Sequence, residues 1–125
     1  MPAIIKHFDS GREYFFPEGC FINEFSNSAD DAALSIARAR VPAGGTTRWH
    51  RLHGVTERYV VLEGRGRVEL DGLPPRLVGA GDVVIIPPLC RQRIANVGDG
   101  DLAFLALCTP RFTPACYEDV DPAPR

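Results

Sequence analysis

Two segments of this 125-residue chain carry most of the residues whose types and spacing could do chemistry. The first runs from Gly44 to Gly64 and holds two histidines and a carboxylate, His50, His53 and Glu57. The second covers residues 79–96, GAGDVVIIPPLCRQRIAN, and is marked by glycines, prolines and polar side chains. Imidazoles together with a carboxylate suit Fe, Mn, Ni, Cu or Zn and leave coordination positions open for a substrate.

The spacing within these two segments resembles the motif pair of the cupin family. The first cupin motif reads G-x5-H-x-H-x3 or x4-E-x6-G, and Glu57 and Gly64 keep its second half. The second motif reads G-x5-P-x-G-x2-H-x3-N. Its matching positions here are Gly81, Pro87 and Asn96. Two positions depart from it, because Leu89 replaces the inner glycine and Gln92 replaces the histidine.

The histidines of the first motif can be aligned in two registers. With four residues before the glutamate, His50 takes the first histidine position and Leu52 replaces the second. With three residues, Arg51 falls on the first position and His53 fills the second. We favour the first register, because the preceding residues, PAGGTTRW, resemble the usual cupin lead-in.

The cupin resemblance implies one divalent metal, Fe, Mn, Ni, Cu or Zn, inside the mouth of the barrel. The positions that it implies as ligands are His50, Glu57 and Gln92, with His53 in reserve if the chain bends at Gly54. An amide oxygen is a weaker ligand than imidazole for late transition metals. The site is therefore either a retuned metal site or one that has lost its metal and uses Gln92 to hydrogen-bond a ligand or the backbone.

Side chains on the same strand faces are expected to line the pocket. Alternation with period two places Leu52 on the face of His50, and Tyr59 and Val61 on the face of Glu57. The Tyr59 hydroxyl is a candidate catalytic acid or substrate contact, and the simpler interpretation is a packed aromatic ring with one hydrogen bond.

Strand patterns dominate the rest of the chain. Short segments rich in β-forming residues alternate with turn residues, and no long helix is indicated. This pattern predicts an all-β sandwich or barrel, and the resemblance implies a double-stranded β-helix of the jelly-roll kind. We expect one cupin domain over residues 1–125, with an N-terminal arm and strands in 1–32, the barrel in 33–108 and an irregular, Pro-rich tail in 109–125.

Composition excludes several classes of protein. A hydrophobic share of 45% and a charged share of 24% are ordinary for one globular domain. A net charge of -2, without a basic cluster, argues against nucleic-acid binding. No apolar run is long enough to span a bilayer, and the N-terminus lacks the apolar core of a secretory signal. We therefore expect a cytoplasmic protein with four free cysteine thiols.

Three hypotheses about function remain open from the sequence. The first is a metal-dependent enzyme of the oxygenase, isomerase or lyase type that acts on a small organic molecule. The alternative is a metal-free cupin that binds or senses a small molecule, and a purely structural barrel is a third. A homodimer is expected in each case, because small cupins commonly pair through strands and the N-terminal arm offers one for exchange. Likeness of fold does not decide among these functions.

Overall fold

The computed structural model describes residues 1–124, which form eleven strands and three short 3-10 turns. The strands are β1 Tyr14–Phe16, β2 Cys20–Ser26, β3 Ser35–Val41, β4 His50–Leu52, β5 Thr56–Glu63, β6 Arg65–Leu70, β7 Arg76–Gly79, β8 Val83–Ile86, β9 Gln92–Asn96, β10 Leu102–Thr109 and β11 Tyr117–Asp119. The turns are Ser10–Arg12, Ala29–Asp31 and Pro114–Cys116. Across residues 1–124, none of the helical segments has the length and apolar character needed to cross a membrane.

Two antiparallel sheets pack against each other, which confirms the predicted all-β jelly-roll architecture. The six-stranded sheet has the order β1-β2-β3-β10-β5-β8, and the five-stranded sheet has the order β11-β4-β9-β6-β7. Non-consecutive neighbours such as β3 and β10 mean that the chain crosses repeatedly between the sheets, as in a jelly roll.

The core forms between the inner faces of the two sheets. Along β5 the burial alternates residue by residue, so that Tyr59 and Val61 point inward. They pack in one cluster with Phe104 and Leu102 of β10 and with Ile94 from the opposite sheet. Full burial of such a side chain contributes about 1.5–3 kcal/mol, so this cluster supports the strands that carry the polar site described below.

Gly64, the last glycine of the first motif, has a structural role at the end of β5. Its φ of +84° is a backbone conformation that side chains with a Cβ rarely adopt. A Cβ at this position would collide with the carbonyl oxygen of Asp101 and lie 2.8 Å from the Cα of Leu102. The motif spacing therefore reflects a close approach between the β5–β6 turn and the start of β10.

The tail contains a strand that the sequence did not predict. We expected residues 109–125 to be irregular, and this is wrong for β11, which pairs antiparallel with β4. The amide of His53 donates to the carbonyl of Cys116 over 2.8 Å, and the amide of Val120 donates to the carbonyl of Trp49 over 2.9 Å. The free edge of β4 supplies these partners, and the three residues of β11 contain no proline.

The N-terminal arm lies against its own chain. The Lys6 ammonium donates to the hydroxyls of Ser26 and Ser28 and pairs with Asp30 over 2.9 Å. The side-chain amide of Asn23 donates to the carbonyl of Asp9 over 2.9 Å. These contacts hold the arm along β2 and the loop that follows it.

Candidate functional site

A cavity of about 60 Å³ lies against the inner face of the six-stranded sheet. Its wall includes three carboxyl groups, those of Glu18, Glu24 and Glu57. It also includes five aromatic side chains, those of Tyr14, Phe16, Tyr59, Phe104 and Phe112. On this measure a cavity needs only about 10–15 Å³ to hold a water molecule, so the cavity has room for several waters or for the reacting end of a larger molecule.

Glu57 is the most unusual group in this wall. It lies on β5 opposite Ile86 of β8 and Cys108 of β10, and the Cys108 thiol donates to its Oε2 over 3.7 Å. Its Oε1 is buried and has no hydrogen-bond partner among the described residues. Burial raises the pKa of Glu57 to about 7, against the lowering effects of His50 and the Gln92 amide. Glu57 can therefore gain or lose a proton near neutral pH.

His50 lies beside the cavity and contacts a second carboxylate. Its Nδ1 lies 2.8 Å from the carbonyl oxygen of Arg48, which can only accept a hydrogen bond, so Nδ1 carries a proton. Its Nε2 lies 3.2 Å from Oε1 of Glu18. The imidazole and the carboxyl group are therefore close enough for a direct polar contact. The ring of Tyr117 stacks on His50, with 5.2 Å between centroids, and limits its rotation.

Gln92 lies opposite His50 across the β4–β9 pair. The Tyr59 hydroxyl donates a short hydrogen bond to the Gln92 side-chain oxygen, and both side chains are almost completely buried. Burial also holds the pKa of Tyr59 well above its usual range, so the hydroxyl keeps its proton. The proton of Tyr59 is therefore engaged with Gln92.

The structure separates the remaining predicted site residues into inner and outer positions. Leu52 is buried in a small cluster with Cys116, and Val61 belongs to the main core rather than to the cavity wall. The His53 side chain is 53% exposed, and its Nε2 lies 2.6 Å from Glu118 on the outside of the barrel. His50 and Glu57 therefore point inward, as in the first register, whereas His53 points away from them.

Three features of the cavity had no counterpart in the motif spacing. Glu18 belongs to the short Pro-Glu-Gly connection between β1 and β2, and only the fold brings it to His50. Phe16 and Phe112 come from opposite ends of the chain, and their ring centroids lie 6.3 Å apart. The turn residues around Glu18 indicated a loop but not its position over the cavity.

Three of the four side chains that the resemblance implies as metal ligands face other groups. The side-chain oxygen of Gln92 already accepts from Tyr59, the Nε2 of His50 faces Glu18, and His53 lies outside. Within residues 1–124, no group of three or more His, Cys, Asp or Glu side chains is arranged to hold a metal ion. This donor arrangement does not fit the metal site implied by the family resemblance.

Comparison with known proteins identifies the family. A family model described as a cupin domain matches residues 37–108, which is more than half of the chain, so the protein belongs to the cupin family. Members of this family often bind a divalent metal. The chain is also 32% identical to the uncharacterized protein MJ1618 of Methanocaldococcus jannaschii, over 97% of this chain and 95% of the relative.

Solved structures with the same fold include enzymes that act on small molecules. Pac13 from Streptomyces, a nucleoside dehydratase, superposes with a TM-score of 0.76 at 18% identity, covering 94% of this chain and 92% of Pac13. A predicted oxalate decarboxylase of Thermotoga maritima has a TM-score of 0.66 at 28% identity, covering 73% and 80%. The oxalate decarboxylase of Lactobacillus farciminis, in complex with formate, has a TM-score of 0.75 at 21% identity, covering 86% of this chain and 33% of that one.

Proposed function

We propose that this cupin is a lyase or isomerase that moves a proton on a small organic molecule bound in the cavity, with Glu57 as the proton-transfer group. The observation that carries this proposal is the unpartnered Oε1 of Glu57 in the cavity wall. A buried oxygen without a donor is costly to the protein alone, and a ligand hydrogen would satisfy it. A carboxyl group that changes protonation state near neutral pH is suited to general acid–base catalysis.

The second proton needed for such a reaction would come from a neighbouring pair of side chains. Glu18 lines the same cavity, and its Oε1 lies 3.2 Å from Nε2 of His50. In an elimination, the Glu57 carboxylate takes a proton from a substrate carbon, and the released electron pair forms a double bond as the neighbouring C–O bond breaks. The leaving oxygen takes the proton of the His50–Glu18 pair and departs as water. Exchange with solvent then returns Glu57 and the pair to their starting states.

The solved relatives support this class of reaction by analogy of fold. Pac13 is a dehydratase, and a dehydration is an elimination of the kind written above. The metal-dependent enzyme, with His50, Glu57, Gln92 and His53 as ligands, is the competing account, and the placement of His53 and the engagement of Gln92 favour proton transfer over it. The metal-free binding or sensor protein is the second alternative. Homodimer formation and a cytoplasmic location remain predictions.

The first experiment follows carbon-bound hydrogens in D2O. Chelator-treated protein is incubated with small amines, hydroxy compounds and nucleosides, and proton NMR detects the loss of a C–H signal or the appearance of an olefinic one. We expect turnover with at least one compound, lowered by about 10²–10⁴-fold in Glu57→Gln. Glu63→Gln, at the exposed end of the same strand, is the matched control and should keep full activity.

Two results would contradict the proposal. If chelation abolishes turnover and a divalent ion restores it together with near-stoichiometric metal content, the metal account replaces this one. If Glu57→Gln leaves turnover unchanged, Glu57 is not the proton-transfer group. Wild-type protein that binds compounds from the set but neither exchanges nor converts them is a binding protein and not an enzyme.

A further inference from the structure

The part of the cavity wall that residues 1–124 form is acidic. Three carboxyl groups line it, those of Glu18, Glu24 and Glu57, and no Lys, Arg or His among these residues contributes to the lining. Two basic side chains near the lining contact other groups: Arg111 donates to the Oδ1 of Asn27 over 3.0 Å, and the Nε2 of His50 lies 3.2 Å from Glu18. An anionic ligand would therefore enter this cavity without a cation to pair with it, at a large desolvation cost.

One oxygen of Glu57 is buried without a hydrogen-bond donor in the part of the chain that the structure describes. The Glu57 residue is only 9% exposed, and its Oε1 has no hydrogen-bond partner among residues 1–124. A ligand N–H group would donate the missing hydrogen bond to Oε1. A charged donor would form the stronger, charge-assisted bond with the ionised carboxylate. This observation concerns one buried atom and is independent of the number of carboxyl groups around it.

The rest of the wall suits an organic cation rather than a bare metal ion. Tyr14, Phe16 and Phe112 contribute aromatic rings, and Ile22 and Phe104 are among the apolar side chains that complete the lining. Aromatic faces attract ammonium groups, and apolar walls bury the carbon skeleton that carries them.

We infer that the ligand of this cavity is a small primary or secondary amine in its protonated form, with an apolar portion against the aromatic wall. This assignment rests on the proposed function, which places the substrate in this cavity, and it names the chemical class of that substrate. The ammonium group would donate to Glu57 and be surrounded by the carboxyl groups of Glu18 and Glu24. Carboxylate substrates such as oxalate would be rejected by the same charges.

The test compares three probes of equal length and different charge, n-propylammonium, 1-propanol and propionate. Binding to chelator-treated protein is measured by NMR shifts of the backbone amides of β5 and β10. We expect n-propylammonium to bind at least about tenfold more tightly than 1-propanol, and propionate not to bind. Glu24→Gln, which leaves Glu57, Glu18 and His50 intact, should weaken n-propylammonium severalfold and spare 1-propanol, and Glu63→Gln should change neither.

The outcomes separate this inference from the proposed function. Tighter binding of propionate than of n-propylammonium, or equal binding of all three probes, overturns the assignment of an amine even if turnover of another substrate is found. Binding of Mn²⁺ at the same amides with no response to n-propylammonium overturns it in favour of a metal ion. Binding of n-propylammonium in a protein that turns nothing over supports the amine site and removes the catalytic role.

Discussion

At the scale of single residues, Glu57 combines two properties that a purely structural carboxyl would not need. It is buried between β8 and β10, and one of its oxygens lacks a donor. His50 and Glu18 beside it contact each other instead, with 3.2 Å between Nε2 and Oε1. Acid–base sites often contain two groups whose environments differ in this way, and the difference assigns one to accept and the other to deliver a proton.

The burial of Glu57 has a measurable effect on stability. Its pKa is about 7 in the folded protein and 4.5 in the unfolded chain, so between these values the folded state binds a proton that the unfolded state has lost. The free energy of unfolding of the wild type should therefore fall, relative to Glu57→Gln, by about 3 kcal/mol as the pH rises from 4.5 to 7. Urea unfolding of both proteins at pH 5 and pH 8 (roughly the two ends of this range) measures the difference.

Carboxylates with a lowered pKa contribute in the opposite direction. The hydrogen bond with Arg40 lowers the pKa of Glu13, so its stabilising effect develops around 4.5, at the lower end of this window, and is lost as the pH falls further. Glu63→Gln serves as the control and should show the same pH dependence as the wild type. A wild-type curve parallel to that of Glu57→Gln would mean that Glu57 is ionised throughout, and would contradict the prediction.

At the scale of elements, β11 holds the strand that carries His50. Asp119 on β11 lies opposite His50 and binds Arg48 Nε over 2.6 Å, and the carbonyl of Arg48 receives the Nδ1 proton of His50. Tyr117, on the same strand, stacks on the imidazole. The tail therefore supports His50. The sequence of the tail alone did not predict this role.

Replacement of Asp119 should loosen this support locally. In Asp119→Asn we expect the amides of Val120 and His53, which join the tail to β4 and its continuation, to exchange with solvent at least about tenfold faster, while the amides of β10 keep their rates. Native-state hydrogen exchange measures both sets, and the exposed Asp99→Asn is the matched control. Equal acceleration throughout the chain would indicate global destabilisation, and unchanged exchange would show that the ion pair does not hold the tail.

At the scale of the whole molecule, the outer face of the six-stranded sheet exposes an apolar patch. Leu62, Val83 and Ile85 on neighbouring strands β5 and β8 are 46%, 58% and 66% exposed. Clustered exposed apolar side chains beside a free sheet edge are typical of surfaces that bind another protein. We propose this patch as the contact surface of the predicted homodimer.

We expect the wild-type protein to sediment as a dimer at micromolar concentration and Ile85→Glu to sediment as a monomer. A charge at the centre of a buried apolar contact would leave an unpaired ion in the interface. Leu77→Glu, which changes an exposed leucine on the edge strand of the other sheet, is the control and should remain dimeric. A monomeric wild type would contradict the predicted homodimer, and a dimer that survives Ile85→Glu would place its interface elsewhere.

Much of this architecture was predictable from local patterns. Alternation with period two and closely spaced turn residues are local properties, so the all-β class followed from the sequence. The same alternation placed His50 and Leu52 on one face, and Tyr59 with Glu57 on another, because the side of a strand on which a residue points depends only on parity.

The tertiary structure determined which side chains and segments are in contact. The approach of Glu18 to His50, the outward position of His53 and the pairing of β11 with β4 each depend on contacts between segments far apart in the chain. Local propensity does not predict such contacts, because they join segments that are distant in the sequence. The sequence by itself determined the fold and the inward face of the site, and the packing of distant segments decided the partners that set its chemistry.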